Sequence, residues 1–135
     1  MSEENLTVAR RWMDSYIAGD ADALLACLTE DWELHEEDGS TTTRTHIAEI
    51  TRVHAQAFPQ KTVEYLHELA DGDLVAHHAR FSLVHTGRYY DIEPTGKRIE
   101  LSEMVFHRFA NGRIARSWRM TFPDSVYTAL VSGAD

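Results

Sequence analysis

The chain is short of cysteine, of basic residues and of long apolar runs, and each shortage closes off a class of protein. A single cysteine, Cys27, in 135 residues excludes an internal disulfide, and with it the small cross-linked scaffolds of secreted proteins. Thirteen Lys and Arg stand against 22 Asp and Glu, a formal charge of −9. Phosphate binding wants a basic face, so no nucleic-acid partner is expected. No apolar run approaches the ~20 residues of a membrane span, so no membrane partner is expected either. The opening MSEENLTVARR is acidic where a signal peptide would be basic and then apolar, and with the lone thiol this predicts a cytoplasmic location. There is no Gly-rich phosphate loop, no dinucleotide fingerprint and no Gly-x-Ser-x-Gly elbow, so no cofactor is expected. Eight histidines invite a metal. None are spaced as His-x-x-x-His on a helix, and His77 and His78 point to opposite faces of a strand, so no metal is expected.

What is present is ordinary globular composition, 43% hydrophobic and 26% charged, and a length that suits one domain over residues 1–135. Residues 4–18 have a helical stripe of Leu6, Ala9, Trp12, Met13, Tyr16 and Ile17, with Gly19 as the stop. Asp20 caps a second helix, 21–29, and a third, 44–57, ends at Pro59. Between them Trp32 to Glu36 alternates as a first strand, and Gly39 to Thr43 reads as a turn. After Pro59 the period becomes two. Val63, Tyr65, His67 and Leu69 share one strand face, and Asp71-Gly72 turns the chain. Val75, His77, Ala79, Phe81, Leu83 and His85 share a face of the next strand. Residues 88–98 are a loop. Two apolar-rich arms then flank Ala110-Asn111-Gly112-Arg113, a strong hairpin signal, and residues 124–131 form a last helical turn. Helices first and strands after imply an α+β layer fold. A strongly curved sheet wrapped around the three N-terminal helices would leave a cone with a hollow for a small molecule.

Glu103, Val105 and His107 share one face of the first hairpin arm, an odd way to build a plain core. That face is read as a pocket wall. His85, ending its stripe, is the first candidate for proton transfer, because an imidazole titrates near neutrality. A buried Glu103 would have its pKa raised and could serve as base or acid. His107 lies about 13 Å further along the strand, too far for a direct dyad. On the first strand either Glu36 or His35 points inward, and parity with Trp32 and Leu34 favours Glu36. His54 interrupts the apolar stripe of the third helix. Trp12, Tyr16, Phe58, Tyr65, Phe81 and Trp118 are flat apolar side chains that either wall a cavity for a ring-bearing ligand or fill the core. Arg116 and Arg119 lie on opposite faces of the last strand, and whichever faces inward could hold an enolate or carboxylate oxygen. Arg119 is taken as the binding residue.

Several short pieces then carry a family resemblance. They are Tyr16-x-x-Gly19-Asp20, Ala57-Phe58-Pro59, Gly72-Asp73-x-Val75, His85-Thr86-Gly87, Pro94-Thr95-Gly96-Lys97, and Asn111-Gly112-Arg113-Ile114 followed by Trp118. In order and spacing they resemble the SnoaL-like polyketide or ester cyclases of the nuclear transport factor 2-like superfamily. The resemblance implies a cone-shaped α+β barrel, three N-terminal helices packed against a strongly curved antiparallel (mixed) sheet, with an open cavity and a homodimer formed through the sheet. It also favours His35 on the first strand. Relatives include aldol cyclases, ketosteroid isomerases, dehydratases, epoxide hydrolases and members without catalysis. The cyclases place an acid two before the tryptophan and a base aspartate four after it, where this chain has Arg116 and Phe122, with Asp124 two further on. The isomerases' tyrosine on the first helix falls at Trp12, their base at Glu36 and their second acid at Val105.

The leading expectation is a cofactor-independent enzyme moving a proton on an apolar, cyclic carbonyl compound, by cyclisation, isomerisation or dehydration. His85 or Glu103 would be base or acid, and Arg119 or His107 would steady the oxyanion. One rival is a non-catalytic ligand-binding or dimerisation module. Another is an epoxide or ester hydrolase holding a water between Glu36 and Glu103.

Overall fold

The computed structural model describes residues 2–131; Met1 and residues 132–135, inside the expected domain range, lie outside the described residues. Helix α1 (Ser2–Ala18) buries Ala9, Trp12 and Met13, the spacing of one helical face. Asp20 accepts from the Ala23 N–H at the start of α2 (Ala21–Ala26), which satisfies one orphan donor of the helix. This helix is shorter than the 21–29 expected, because Leu28 already belongs to strand β1 (Leu28–Glu36). The segment read as a turn contains a strand, β2 (Thr41–Thr43), paired antiparallel with β1. Three consecutive threonines suit a pleated edge. Thr43 then caps α3 (Arg44–Ala57).

Strands β3 (Gln60–Asp71), β4 (Leu74–Val84), β5 (Arg98–Ala110) and β6 (Arg113–Phe122) follow, and α4 (Val126–Val131) packs on β5. The sheet order is β2-β1-β6-β5-β4-β3. Every neighbour is antiparallel except β1 and β6, which run parallel. Among the described residues the sheet is mixed and open, with β2 and β3 as its unpaired edges, and it forms the wall of the expected α+β cone. The hairpin between β5 and β6 turns where expected. Asn111 and Gly112 have φ of 53° and 80°, the left-handed pair that a two-residue turn between twisted strands requires.

The inner face of the sheet meets the helices over a core that includes Trp32, Leu34, Phe58, Leu83 and Ile114. Alternation on β4 and β5 holds along their whole length, so Val75, His77, Ala79, Phe81 and Leu83, and likewise Glu103, Val105 and His107, are buried. It fails on β3, where the register slips between Tyr65 and His67. A bulge inserts one residue and swaps the faces beyond it. His67 and Leu69 therefore turn outward, with Leu69 73% exposed.

Candidate functional site

A cavity of about 310 Å³ lies between the helices and the inner sheet face, within the range of small-molecule pockets. Apolar walls come from Trp12, Met13, Leu24, Ile47, Ile50 and Leu101, with Phe81, Tyr89 and Tyr90 adding aromatic surface. The polar groups on the wall are Tyr16, Glu36, His54, Glu103 and Arg119, with His46, Thr121, Asp124 and Ser125 also contributing.

Strand pairing explains why three of these meet. Glu36 pairs with Arg119 across the parallel β1–β6 contact, and Glu103 pairs with Thr121 across the hairpin. Arg119 therefore stands between two carboxylates. Its Nε and Nη2 donate to Glu36, and its Nη1 donates to Glu103 Oε2 at 3.4 Å. Burial pushes the Glu103 carboxyl pKa up; Arg119 opposes this and the Glu36 charge adds to it. Burial works against the Arg119 charge, but the two carboxylates outweigh it and hold the guanidinium protonated. Glu103 Oε1 is buried and has no hydrogen-bond partner among the described residues.

A second pair faces the same space from the helices. Tyr16 Oη and His54 Nδ1 lie 2.6 Å apart, bridging α1 and α3. Burial raises the phenol pKa, and the Glu103 charge raises it further. Burial lowers His54 to about 3, with Lys61 and Arg119 adding to the effect. The imidazole is thus neutral, able either to accept the phenol proton or to donate to the phenol oxygen and free its O–H. Tyr16, His54, Glu103 and Arg119 form one electrostatically connected set. Among the described residues no group of three or more His, Cys, Asp or Glu is arranged to hold a metal.

Of the residues singled out in the sequence, Trp12, Tyr16, Glu36, His54, Phe81, Glu103 and Arg119 line the cavity, and the others do not. His85 lies just past the end of β4, where the chain leaves the sheet. Its backbone bonds to Gly96 and Lys97, and its Nδ1 accepts from the Thr95 N–H at 3.2 Å, with Thr95 Oγ1 at 2.9 Å. His85 therefore ties down the loop that carries Tyr89 and Tyr90. His107 is fully buried behind Trp12, whose ring stands edge-on to it at 5.1 Å. Ser117 Oγ accepts from Trp32 Nε1 and lies 2.7 Å from His107 Nδ1. Burial lowers the His107 pKa to about 3, so the imidazole bonded to Ser117 is neutral.

His35 takes the outer face, as parity indicated, and stacks on Trp118 at 6.3 Å. Trp118 is outside because Ser117 and Arg119 point in, and adjacent strand residues alternate. Phe58 is wholly buried against His54, His85 and Tyr89. Tyr65 donates to Asp14 at 3.1 Å. Arg116 is exposed.

Tyr89 and Tyr90 are cavity residues that the sequence reading passed over, and Asp124 is one to which it gave no role. The two tyrosines sit on an irregular loop, where no period signals a direction. Asp124 was noticed only as displaced from the family's aspartate position; it stands at the cavity, whereas Phe122 is 78% exposed on the outer face.

Comparison with known proteins accords with this architecture. AclR from Streptomyces galilaeus, a candidate hydroxylase, superposes with a TM-score of 0.86 at 18% identity, covering 100% of this chain and 85% of that one. IdmH from Streptomyces antibioticus, a candidate polyketide cyclase, gives 0.77 at 19% identity, covering 93% and 97%. A candidate ketosteroid isomerase from Kribbella flavida gives 0.67 at 18% identity, covering 87% and 77%. At these identities the likeness is one of fold. No curated protein matches the chain. The model of the SnoaL-like polyketide cyclases matches residues 6–125. That match runs from α1 into the segment before α4 and takes in every polar group of the cavity, so the chain belongs to the SnoaL-like polyketide cyclase family.

Proposed function

We propose that the protein is a cofactor-independent enzyme that moves a proton on a cyclic carbonyl compound held in this cavity. The observation that carries the reading is Glu103, a buried carboxylate with one oxygen unpartnered in a largely apolar pocket. A base with a raised pKa works near neutral pH, where an ordinary carboxylate is too weak. Glu103 takes a proton from the carbon beside the carbonyl. The C–H electron pair forms the enol double bond, and the carbonyl pair moves onto oxygen. Tyr16, backed by His54, donates to that oxygen, and Arg119 has N–H groups left over to do so. Proton return at another carbon completes an isomerisation. Attack on a second carbonyl completes a cyclisation, and loss of a β-hydroxyl as water completes a dehydration. Family membership and the candidate cyclase and isomerase among similar structures support this class of chemistry.

The hydrolytic reading is weaker, because the space between Glu36 and Glu103 that a water would need is occupied by Arg119. The test is exchange of solvent deuterium into the α-positions of a panel of cyclic ketones, followed by NMR. Glu103→Gln should cut exchange by about 10²-fold or more. Full exchange by the variant would overturn the assignment.

We propose further that the protein works as a homodimer. Met104, Phe106, Met120 and Phe122 stand half-exposed or more on the outer sheet face, beside Trp118. Met104 pairs with Met120 and Phe106 with Trp118 across the hairpin, so the patch is contiguous, as interaction surfaces are. The buried free thiol of Cys27 suits a reducing cytoplasm.

A further inference from the structure

Lys61, near the start of β3, is a lysine on the buried side of the sheet. It stands opposite Leu83 on β4 and is only 8% exposed. A buried lysine ordinarily has a carboxylate beside it. Among the described residues Lys61 has none. Its Nζ donates to the Phe58 carbonyl at 3.0 Å, at the end of α3, and stands 5.6 Å from the centre of the Tyr16 ring. Burial lowers its pKa.

Capping α3 accounts for the first contact only. A helix end needs a donor, and the neutral amide of a glutamine would supply one. The second contact is to a residue of the cavity wall, within the distance at which a cation is attracted to an aromatic face. A positive charge there favours negative charge developing on the phenol oxygen and disfavours a second proton on the neighbouring imidazole. Lys61 is indeed one of the charges that lower the His54 pKa. The other polar groups that act on the pair are Tyr89 from the loop after β4, Glu103 from β5 and Arg119 from β6. Glu103 opposes negative charge on Tyr16. Arg119 favours it, but its guanidinium is shared between Glu36 and Glu103. Lys61 is the cation at the phenol that no carboxylate neutralises.

We propose that Lys61 is a positioning residue of the reaction, whose ammonium over the Tyr16 ring makes the Tyr16–His54 pair a stronger donor to the substrate oxygen. It is not on the cavity wall, so it acts through Tyr16. The inference rests on the cavity chemistry assigned above and adds a residue to it.

The first test needs no substrate. Tyr16 is replaced by a ring-trifluorinated tyrosine, whose acidic phenol ionises while Lys61 is still charged, and is titrated by fluorine NMR on the intact chain. Lys61→Gln keeps a donor for Phe58 without the charge, and should raise the midpoint by about one pH unit. Lys61→Met should do the same, and Lys61→Arg should leave the midpoint near that of the parent. A midpoint unmoved in both neutral variants, or raised equally in the arginine variant, would reduce Lys61 to a helix cap and overturn the inference. If the midpoints move as expected and no ketone exchanges deuterium, only the proposed chemistry fails. Where exchange is found, Lys61→Gln should slow it about 3- to 10-fold in the wild type and no further in Tyr16→Phe, since residues that act as one unit are not additive. The same loss on top of Tyr16→Phe would place the effect elsewhere and contradict the assignment.

Discussion

Tyr16 and His54 show how much a single contact decides. Alone on its helix, each reads as one more member of an apolar stripe. At 2.6 Å from one another, with the imidazole held neutral, they make a polarised hydroxyl facing the cavity. Tyr16→Phe should therefore lower turnover more than binding, by about 10- to 1000-fold in kcat, as loss of one oxyanion donor does. An equal loss in both would assign the phenol to binding alone. His107 makes the opposite point. Its folded pKa is about 3 against ~6.5 in the unfolded chain. The unfolded state then binds the extra proton between these values. The stability gained from a neutral His107 is complete above pH 6.5 and is lost as pH falls toward 3. Thermal melts of His107→Gln against the wild type should show a gap at pH 7 that narrows by pH 4. A gap independent of pH would mean that His107 is not buried neutral.

At the scale of elements, strand alternation was a sound guide while the strand lasted. It placed Glu103 inside, as the helical stripe placed Trp12 and Tyr16 toward the core on α1. It put His85 on the buried side, where it lies, but buried there means packed on Phe58 and bonded to Thr95 rather than lining the cavity. It misplaced Leu69 because nothing in the local pattern announces the bulge after Tyr65. The pairing of Glu36 with Arg119 was out of reach altogether, since it depends on β1 lying parallel beside β6, 83 residues away in sequence. The loop after β4 is the element most open to test. Gly87 donates to the Ala57 carbonyl, and a Cβ there would sit 1.9 Å from the Gln56 carbonyl oxygen. Gly87→Ala must push the loop, with Tyr89 and Tyr90, off the end of α3. It should weaken ligand binding as well as lower the melting temperature. A variant that melts earlier yet binds normally would show that the loop is not part of the wall.

For the whole molecule, helices and an open sheet divide the labour. The inner sheet face closes over a cavity, and the outer face carries the apolar patch of Met104, Phe106, Trp118, Met120 and Phe122. Phe122→Glu and Phe106→Asp, both on exposed positions, should convert a dimer of about twice 15.4 kDa into a folded monomer in light scattering after size exclusion. A wild-type chain that is already monomeric at micromolar concentration would remove the outer face from the account. The layer fold was legible because periods of 3.6 and 2 dominate long segments, and the family through short pieces such as Ala57-Phe58-Pro59 and His85-Thr86-Gly87. The inner cluster was only half legible, because Tyr16, Glu36, His54, Glu103 and Arg119 come from five elements, of which only β5 and β6 are neighbours in sequence.

The central claim is that Glu103 is a proton acceptor tuned by burial, and the pH dependence of ketone deuterium exchange tests it most directly. The rate should rise with pH along a single limb whose midpoint lies above the ordinary carboxylate value of ~4.3, since burial raises the Glu103 pKa. In Glu103→Gln that limb should vanish. A limb that survives the substitution with its midpoint unmoved would contradict the account.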